Sequence, residues 1–459
     1  MAITLIAAVA SGFTAAIGTS MIFSWAAFAI GAGLSLVSRA LMPKINTGSQ
    51  MGGRSVTTRE AAHSRKIIYG RARIGGNIVY LESTGDDNKY LWLVVAVAGH
   101  EIDAYESVWF NDKKIWGDGN YFNNWGSFVS IYFYKGDQTA ADSALVSASS
   151  KWTADHKLLD TAYMVLKLTY DVDKFANGLP NISTIVRGKK VLDPSDNSTA
   201  WSDNPALCAY DYLRDTKYGL GETAANILTA SVTTAKGVCD ETVSLAAGGT
   251  QKRYTINGVV DTANSIKSNI EQMLGSMIGR LVYSGGQFEI HAGAYVAPAF
   301  TVDESVAVGE ITVQTKQSRR NAYNAVKGVM LSVDDNYILA DYPAQVSKTV
   351  AGSFVVGKRY QILVINNTDF TAIGASSNTV GVDFTATGVG SGTGTASLFL
   401  AQDGQQIFLD MALPFTTNNI RAQRIARLAL LRSRQQEAIT IPCNLSALRF
   451  KVGENINVT

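Results

Sequence analysis

The sequence predicts an α+β protein that is mainly β, and three observations carry that prediction. Glycine is frequent, at 41 of 459 residues, while proline is rare at 8, so long ladders run uninterrupted. Threonine, valine, tyrosine and phenylalanine recur in short runs, the side chains that suit a pleated surface. Tyr90 to Ala98 is apolar almost throughout, as a strand buried on both faces requires. The chain is too long for one core and divides into about two to four domains.

The N-terminus stands apart. Met1 to Ser38 carries no charged side chain, and two apolar stretches, Ile3–Ile17 and Met21–Val37, flank Gly18-Thr19-Ser20. Arg39 and Lys44 follow the apolar run rather than precede it, which argues against a cleaved signal peptide. Residues 1–42 read as an apolar helical segment, either a buried helix or helical hairpin in an oligomer or a membrane-active segment. Residues 43–59 are polar and glycine-rich, and read as a linker.

Strands follow. Lys66 to Tyr80 reads as two strands joined at glycines, and Tyr105 to Trp116 as two more around an Asn111-Asp112 turn. Residues 117–157 look like a loop-rich elaboration. Tyr163–Tyr170 alternates as a strand does, and Ile182–Leu192 follows as another.

Asn204-Pro205 is a helix N-cap followed by proline in the first turn, with Ala206, Tyr210 and Leu213 on one face. Thr262 is placed to cap a second helix carrying Ile266, Ile270, Met273, Met277 and Ile278 and ending near Gly279. Leu281 to Ile290 is a hairpin turning at Gly285-Gly286. A third helix spans about Asn419 to Gln436, where Arg421, Arg424, Arg427, Arg432 and Arg434 surround a stripe of Ile425, Leu428 and Leu431. Residues 348–397 look foreign. They form a Thr/Gly/Val-rich β unit grafted into a surface loop. Gly453 to Thr459 reads as breaking off in mid-strand, so the natural polypeptide is expected to continue.

Composition excludes several functions. With 40 basic and 38 acidic residues, net charge is +2, too little for sequence-independent nucleic-acid binding. Charged residues make up 17% of the chain, a surface that suits burial against other subunits. Cys208, Cys239 and Cys443 are too widely spaced for a zinc site or disulfide framework, and His63, His100, His156 and His291 form no metal motif. There is no nucleophile elbow: Gly374-Ala375-Ser376-Ser377-Asn378 lacks the closing glycine.

Paired carboxylates at Asp86-Asp87, Glu101 to Glu106 and Asp334-Asp335 read as turn residues rather than a glycosidase pair. Glu289-Ile290-His291 reads as a solvated strand face, and Gly388 to Gly394 as a β turn rather than a phosphate cradle. The arginine helix reads as a solvated or interface face rather than a DNA contact. Asn181-Ile182-Ser183 is a sequon in form only. No catalytic, cofactor-binding or metal residues are assigned.

Several passages in order resemble the lambda-like tip attachment (host specificity) family and related phage tail hubs. The first is Ile68-Tyr69-Gly70-Arg71-Ala72-Arg73-Ile74-Gly75-Gly76-Asn77-Ile78-Val79-Tyr80, with Leu91 to Glu101 and Val108-Trp109-Phe110-Asn111. The second runs from Gly178-Leu179-Pro180-Asn181 through Val186 to Pro194, then Asn204-Pro205-Ala206-Leu207 and Tyr218-Gly219-Leu220-Gly221. The third is the amphipathic helix with its Tyr283–Glu289 hairpin, and the fourth pairs Ala422–Arg432 with Ala447–Val458.

The resemblance implies two β-barrel-like tail-tube domains with α+β elaborations, assembled as a homotrimer. Domain I would span 60–200, including the 117–157 elaboration. An α+β domain would span 201–300, and domain II 301–347 with 398–459, interrupted by the 348–397 module. It further implies a non-enzymatic virion protein at the distal end of the tail, present in the host cytoplasm during assembly. Such a hub closes the tube, docks on the distal tail protein ring and adjoins the tape measure protein and the tip or fibre proteins. It opens for ejection, so DNA passes through without being specifically bound.

The apolar first 40 residues depart from the family. Residues 1–38 could plug the tube, contact the tape measure protein or touch the host membrane. The alternatives to a hub are a tail-associated cell-wall hydrolase and a membrane protein anchored through residues 3–37.

Overall fold

The computed structural model describes residues 56–60, 63–175, 178–314, 323–434, 438–450 and 454–459. The predicted helical segment 1–42 and most of the linker 43–59 lie outside the described residues. Strand accounts for 35% and helix for 20%, so the chain is mainly β as expected. Its strands form several small sheets, none of which closes among the described residues.

The first unit is a sandwich. In chain order it contains β1 (Lys66–Tyr69), β2 (Arg71–Gly75), β3 (Asn77–Thr84), β4 (Tyr90–Ala98), β5 (Ala104–Phe110), β6 (Lys113–Gly117) and β7 (Asn120–Tyr121). There follow β8 (Val129–Tyr134), helix α1 (Ser143–Ala148), β9 (Ala162–Thr169) and β10 (Ile182–Arg187). One antiparallel sheet has the order β3-β4-β9-β8 and the other β2-β10-β5-β6-β7. Ile74, Leu93, Val95, Val108, Met164, Leu166 and Val186 fill the core between them. The far side of β4 and β9 is also covered. Trp92, Val94, Tyr163 and Val165 pack there under Leu145 of α1 and Trp152, so β4 is buried on both faces as its sequence requires.

Two readings of this unit need correction. Lys66 to Tyr80 makes three strands, because Gly70 at φ 63 turns the chain after β1. The three then find different partners: β1 pairs with Gly258–Asp261, β2 with β10 and β3 with β4. The elaboration 117–157 also holds more than loops. It contains the edge strand β8, and α1, whose Asp142 cap accepts from the Leu145 amide at 2.6 Å.

A layer of helices follows: β11 (Lys190–Leu192), β12 (Thr199–Trp201), α2 (Pro205–Arg214), α3 (Thr229–Asp240), β13 (Thr242–Ser244), β14 (Thr250–Lys252), β15 (Gly258–Asp261), α4 (Ile266–Gly275), β16 (Arg280–Ser284) and β17 (Gln287–His291). Helix α2 starts as its sequence dictates, with the Asn204 side chain accepting from the Ala206 and Leu207 amides. Helix α4 is capped by Ser265 rather than Thr262, because Asp261 holds the intervening residues in a turn through the Ala263 amide. It stops at Gly275, and shorter-range bonds from Met277 and Ile278 tighten its end. Helix α3 has no side-chain cap and carries β-branched threonines, so it left little trace in the sequence.

The remaining elements are β18 (Phe300–Val302), β19 (Thr312–Gln314), β20 (Ala325–Ser332), β21 (Ile338–Val346), β22 (Thr349–Val350), β23 (Arg359–Val364), β24 (Asp383–Thr385), β25 (Thr395–Ser397), α5 (Leu398–Asp403), β26 (Phe408–Asp410), α6 (Asn419–Ser433), β27 (Ala438–Thr440) and β28 (Ile456–Val458). Helix α6 buries Ala422, Ile425, Ala426, Ala429 and Leu430. Leu431, expected on the apolar stripe, is exposed instead. One core joins α2, α4 and α6 with Val326, Met330, Tyr342 and Phe415. Strands β22 to β25 enclose a separate core of Phe354, Tyr360, Ile362, Phe370 and Phe384.

Strand β1 links the two larger cores. Ile68 points into the sandwich core, while Ile67 and Tyr69 point into the helical one. The Ile68 amide donates to His100 Nε2 at 2.9 Å, and His100 Nδ1 lies 2.7 Å from the Glu101 carbonyl oxygen. That geometry suits the neutral imidazole, and burial pushes its pKa down to about 4. Nearby, Tyr69 donates to Asp211, and Lys189 bridges Asp211 and Asp215 at 2.7 and 2.8 Å.

Two outcomes follow. His100 titrates at about 6.5 when unfolded and about 4 when folded, so the unfolded chain binds the proton first. Stability should be unaffected by this group above pH 6.5. It should fall by up to about 3 kcal/mol as the pH drops from 6.5 towards 4. Urea unfolding across that range should show a shallower loss for His100→Gln. Separately, Thr349 and Ala396 are paired across one ladder. Replacing 349–396 by a short glycine bridge, which keeps the Ser397 cap of α5, should preserve a single cooperative melt.

Candidate binding cleft and assembly surfaces

Alternation on the five-stranded sheet sends Ala72, Ile74, Val108 and Val186 inward. Arg71, Arg73, Trp109 and Ser183 therefore face outward. Arg73 is nonetheless only 5% exposed. Its guanidinium donates to Ser183 Oγ at 3.0 Å, the Asn111 carbonyl at 2.9 Å and the Asn336 carbonyl at 3.1 Å. It also stacks 4.7 Å from the centre of the Trp109 ring. Burial lowers its pKa, with Asp112 opposing the shift, yet a guanidinium remains charged. Through Asn336 it anchors the tip of the β20–β21 hairpin onto the sandwich.

Between that tip and the sheet lies a cleft of about 330 Å³. Arg71 and Glu106 form an ion pair on its wall, and Lys114 and Asp118 stand 3.8 Å apart beside them. Tyr337 closes it from the hairpin side at φ 63. The Tyr337 hydroxyl is buried without a hydrogen-bond partner among the described residues. Burial raises its pKa to about 12. No local motif announces this cleft, because its lining is drawn from residues 71 to 118, from Ile185 and from 333 to 337.

The motifs singled out in the sequence are mostly occupied internally. Glu101, Asp103 and Glu106 each pair with a cation: Lys190, Arg187 and Arg71. Asp86-Asp87 lies in an exposed 3-10 turn. Glu289 and His291 stand 3.6 Å apart on β17. The amides of Thr393 and Gly394, at the end of that glycine run, donate internally to Asn367 and Thr368. Asn181 accepts from the Thr57 amide, and Ser183 is fully buried. Among the described residues no group of three His, Cys, Asp or Glu side chains could hold a metal ion.

The arginine helix is the main surprise. Arg421, Arg424 and Arg432 donate to the carbonyls of Lys252, Arg253 and Ile278 at 3.2, 2.7 and 2.8 Å. Arg434 holds the Tyr323 carbonyl and Asp403. These side chains bind α6 to its own fold, and burial lowers the pKa of the first three. Arg427 and Arg432 reach solvent, the latter with its guanidinium still seated on the Ile278 carbonyl.

Three large apolar side chains stand exposed near the C-terminal ladders. Strands β18 with β28, and β19 with β27, are two-stranded ladders over a small core of Val302, Val306, Ile441, Ala447 and Ile456. Beside them Tyr295, Leu445 and Leu448 are 75%, 80% and 70% exposed. Among the described residues no helix is long and apolar enough to cross a membrane.

No protein-family model matches the chain. A relative named baseplate hub protein pb3, from Escherichia phage T5, is 22% identical over 345 residues. The match covers 59% of this chain and 36% of that protein. A second, tip attachment protein J of Escherichia phage SECphi27, is 25% identical over 202 residues, covering 38% of this chain and 17% of that one. The chain is similar to phage tail hub and tip attachment proteins. It spans well under half the length of either tail protein. A chain of a solved virion of a native gene transfer agent particle has a TM-score of 0.49 at 12% identity, covering 84% of this chain and 76% of that one.

Arg73→Ala should cost about 3 kcal/mol in urea unfolding, because it removes a buried guanidinium that donates to Ser183 and to two part-buried carbonyls.

Proposed function

We propose that the chain is a non-catalytic structural protein of a phage virion, a trimeric hub at the distal end of a long tail. The observation that carries this reading is the match over 345 residues to a protein named as a baseplate hub. Three copies close the tail tube and dock on the distal tail protein ring. They adjoin the tape measure protein on one side and tip or fibre proteins on the other. The chain is made in the host cytoplasm and opens in the virion for DNA ejection.

Residues 60–200, and 301–347 with 398–459, supply the tube-like domains, while 201–300 is the α+β elaboration between them. The two sandwich sheets end in the edge strands β3, β8, β2 and β7, and closure into barrels takes place within the assembly. Tyr295, Leu445 and Leu448 offer the apolar area that such contacts use. The internal use of the α6 arginines suits a passage through which DNA slides without binding. Residues 1–38 plug the tube or meet the host membrane.

Electron micrographs of the purified protein should show a three-fold ring, and light scattering should give a trimer. A monomer at high concentration that also fails to assemble on a distal tail ring would sink the proposal.

A further inference from the structure

Residues 56–60 lie across the corner where the chain passes from one sheet of the sandwich to the other, at Gly75-Gly76 between β2 and β3. The last rung of β2 on β10 sets Gly75 opposite Ser183. Past that rung, Thr57 takes the place of β2 beside Ile182. Its hydroxyl donates to the Ile182 carbonyl and accepts from the Ile182 amide at 2.7 Å. Its own amide donates to Asn181 Oδ1 at 2.7 Å. Thr58 then joins the other sheet, in a parallel bridge with Asn77. Its amide donates to the Gly76 carbonyl at 3.0 Å, and its carbonyl accepts from the Ile78 amide at 2.8 Å. The Asn77 side chain completes the seat: it accepts from the Glu60 amide and donates to the Glu60 carbonyl, both at 2.9 Å.

Gly75 lies in ordinary strand backbone, so no turn demands a glycine there. A Cβ on it would come within 2.4 Å of the Val56 carbonyl carbon and oxygen. The groove is therefore open only because residue 75 lacks a side chain. The occupant, by contrast, adds nothing to a core. None of its five side chains is buried, and Val56, its one apolar residue, is 51% exposed. Hydrogen bonds hold it, and their modest net gain is offset by the entropy of ordering the segment. Segments with few buried apolar contacts open well below the free energy of global unfolding.

We propose that residues 56–60 are a releasable strap in a strand-acceptor groove. The strap comes away while the sandwich stays folded, and the vacated groove takes the same segment from a second copy. The groove offers that segment the unpaired amides of Ile78 and Ile182, one from each sheet. Tension along the chain from residues 1–55 reaches the sandwich through this strap. The proposal stands or falls independently of the tail-hub reading.

Hydrogen exchange of the full chain, read by mass spectrometry, tests release. Segments 56–60, 76–79 and 181–183 should exchange at least about tenfold faster than 91–95 and 163–167 in the centre of the sandwich. Thr58→Pro removes the amide that holds the Gly76 carbonyl. It should speed exchange at 76–79 and 181–183 further and leave the melt as in the parent. A labelled peptide of residues 52–62 should bind Thr58→Pro with a Kd below about 1 mM. It should bind the parent, whose groove is filled, at least about tenfold more weakly. Adding Gly75→Ala to Thr58→Pro should abolish binding, because the new methyl group stands in the path of the peptide. Uniform exchange across the sandwich, or a melting temperature lowered by Thr58→Pro, would make the segment part of the core and overturn the proposal. So would no peptide binding at about 1 mM, or binding indifferent to Gly75→Ala.

Discussion

Four residues, Lys66–Tyr69, are committed on all four sides. One edge pairs with β15. The other is stitched by Gly99 to Lys66, by His100 and Lys189 to Ile68, and by Gly188 to Gly70. One face serves the sandwich core and the other the helical core. A slip of one residue would carry Ile68 into the wrong core and break the His100 bond together. Register, protonation state and the junction between the two layers are therefore one constraint.

The sequence made the strongly patterned elements legible and left the rest obscure for physical reasons. The nine-residue run of β4, the Asn204-Pro205 start of α2 and the Gly285-Gly286 hairpin each carry their own local signal, and each appears as expected. Helix α3 lacks a side-chain cap, and α4 takes Ser265 as its cap because a neighbouring Asx turn holds Thr262. The cleft was invisible because its walls meet only after the hairpin docks. The arginines of α6 were visible as a group. Their targets were not, since those are backbone carbonyls, which every residue possesses.

That choice of partner has an energetic logic. An arginine bound to a carboxylate must desolvate two ions, whereas a carbonyl is already a dipole with lone pairs to satisfy. Arg73, Arg421, Arg424 and Arg432 all use carbonyls and hold distant segments together without adding a second charge to the interior. A chain with only 17% charged residues can thus fasten several layers with few ions.

The module enclosed by β22 to β25 begins and ends on neighbouring strands, with Thr349 opposite Ala396. The rest of the fold consequently senses only a gap of about 5 Å, the width of one ladder rung. Any small domain whose termini lie that close meets the same geometric requirement. The position is thus a ready port for a fluorescent or affinity reporter, one that would mark the protein in an assembled particle without touching its cores.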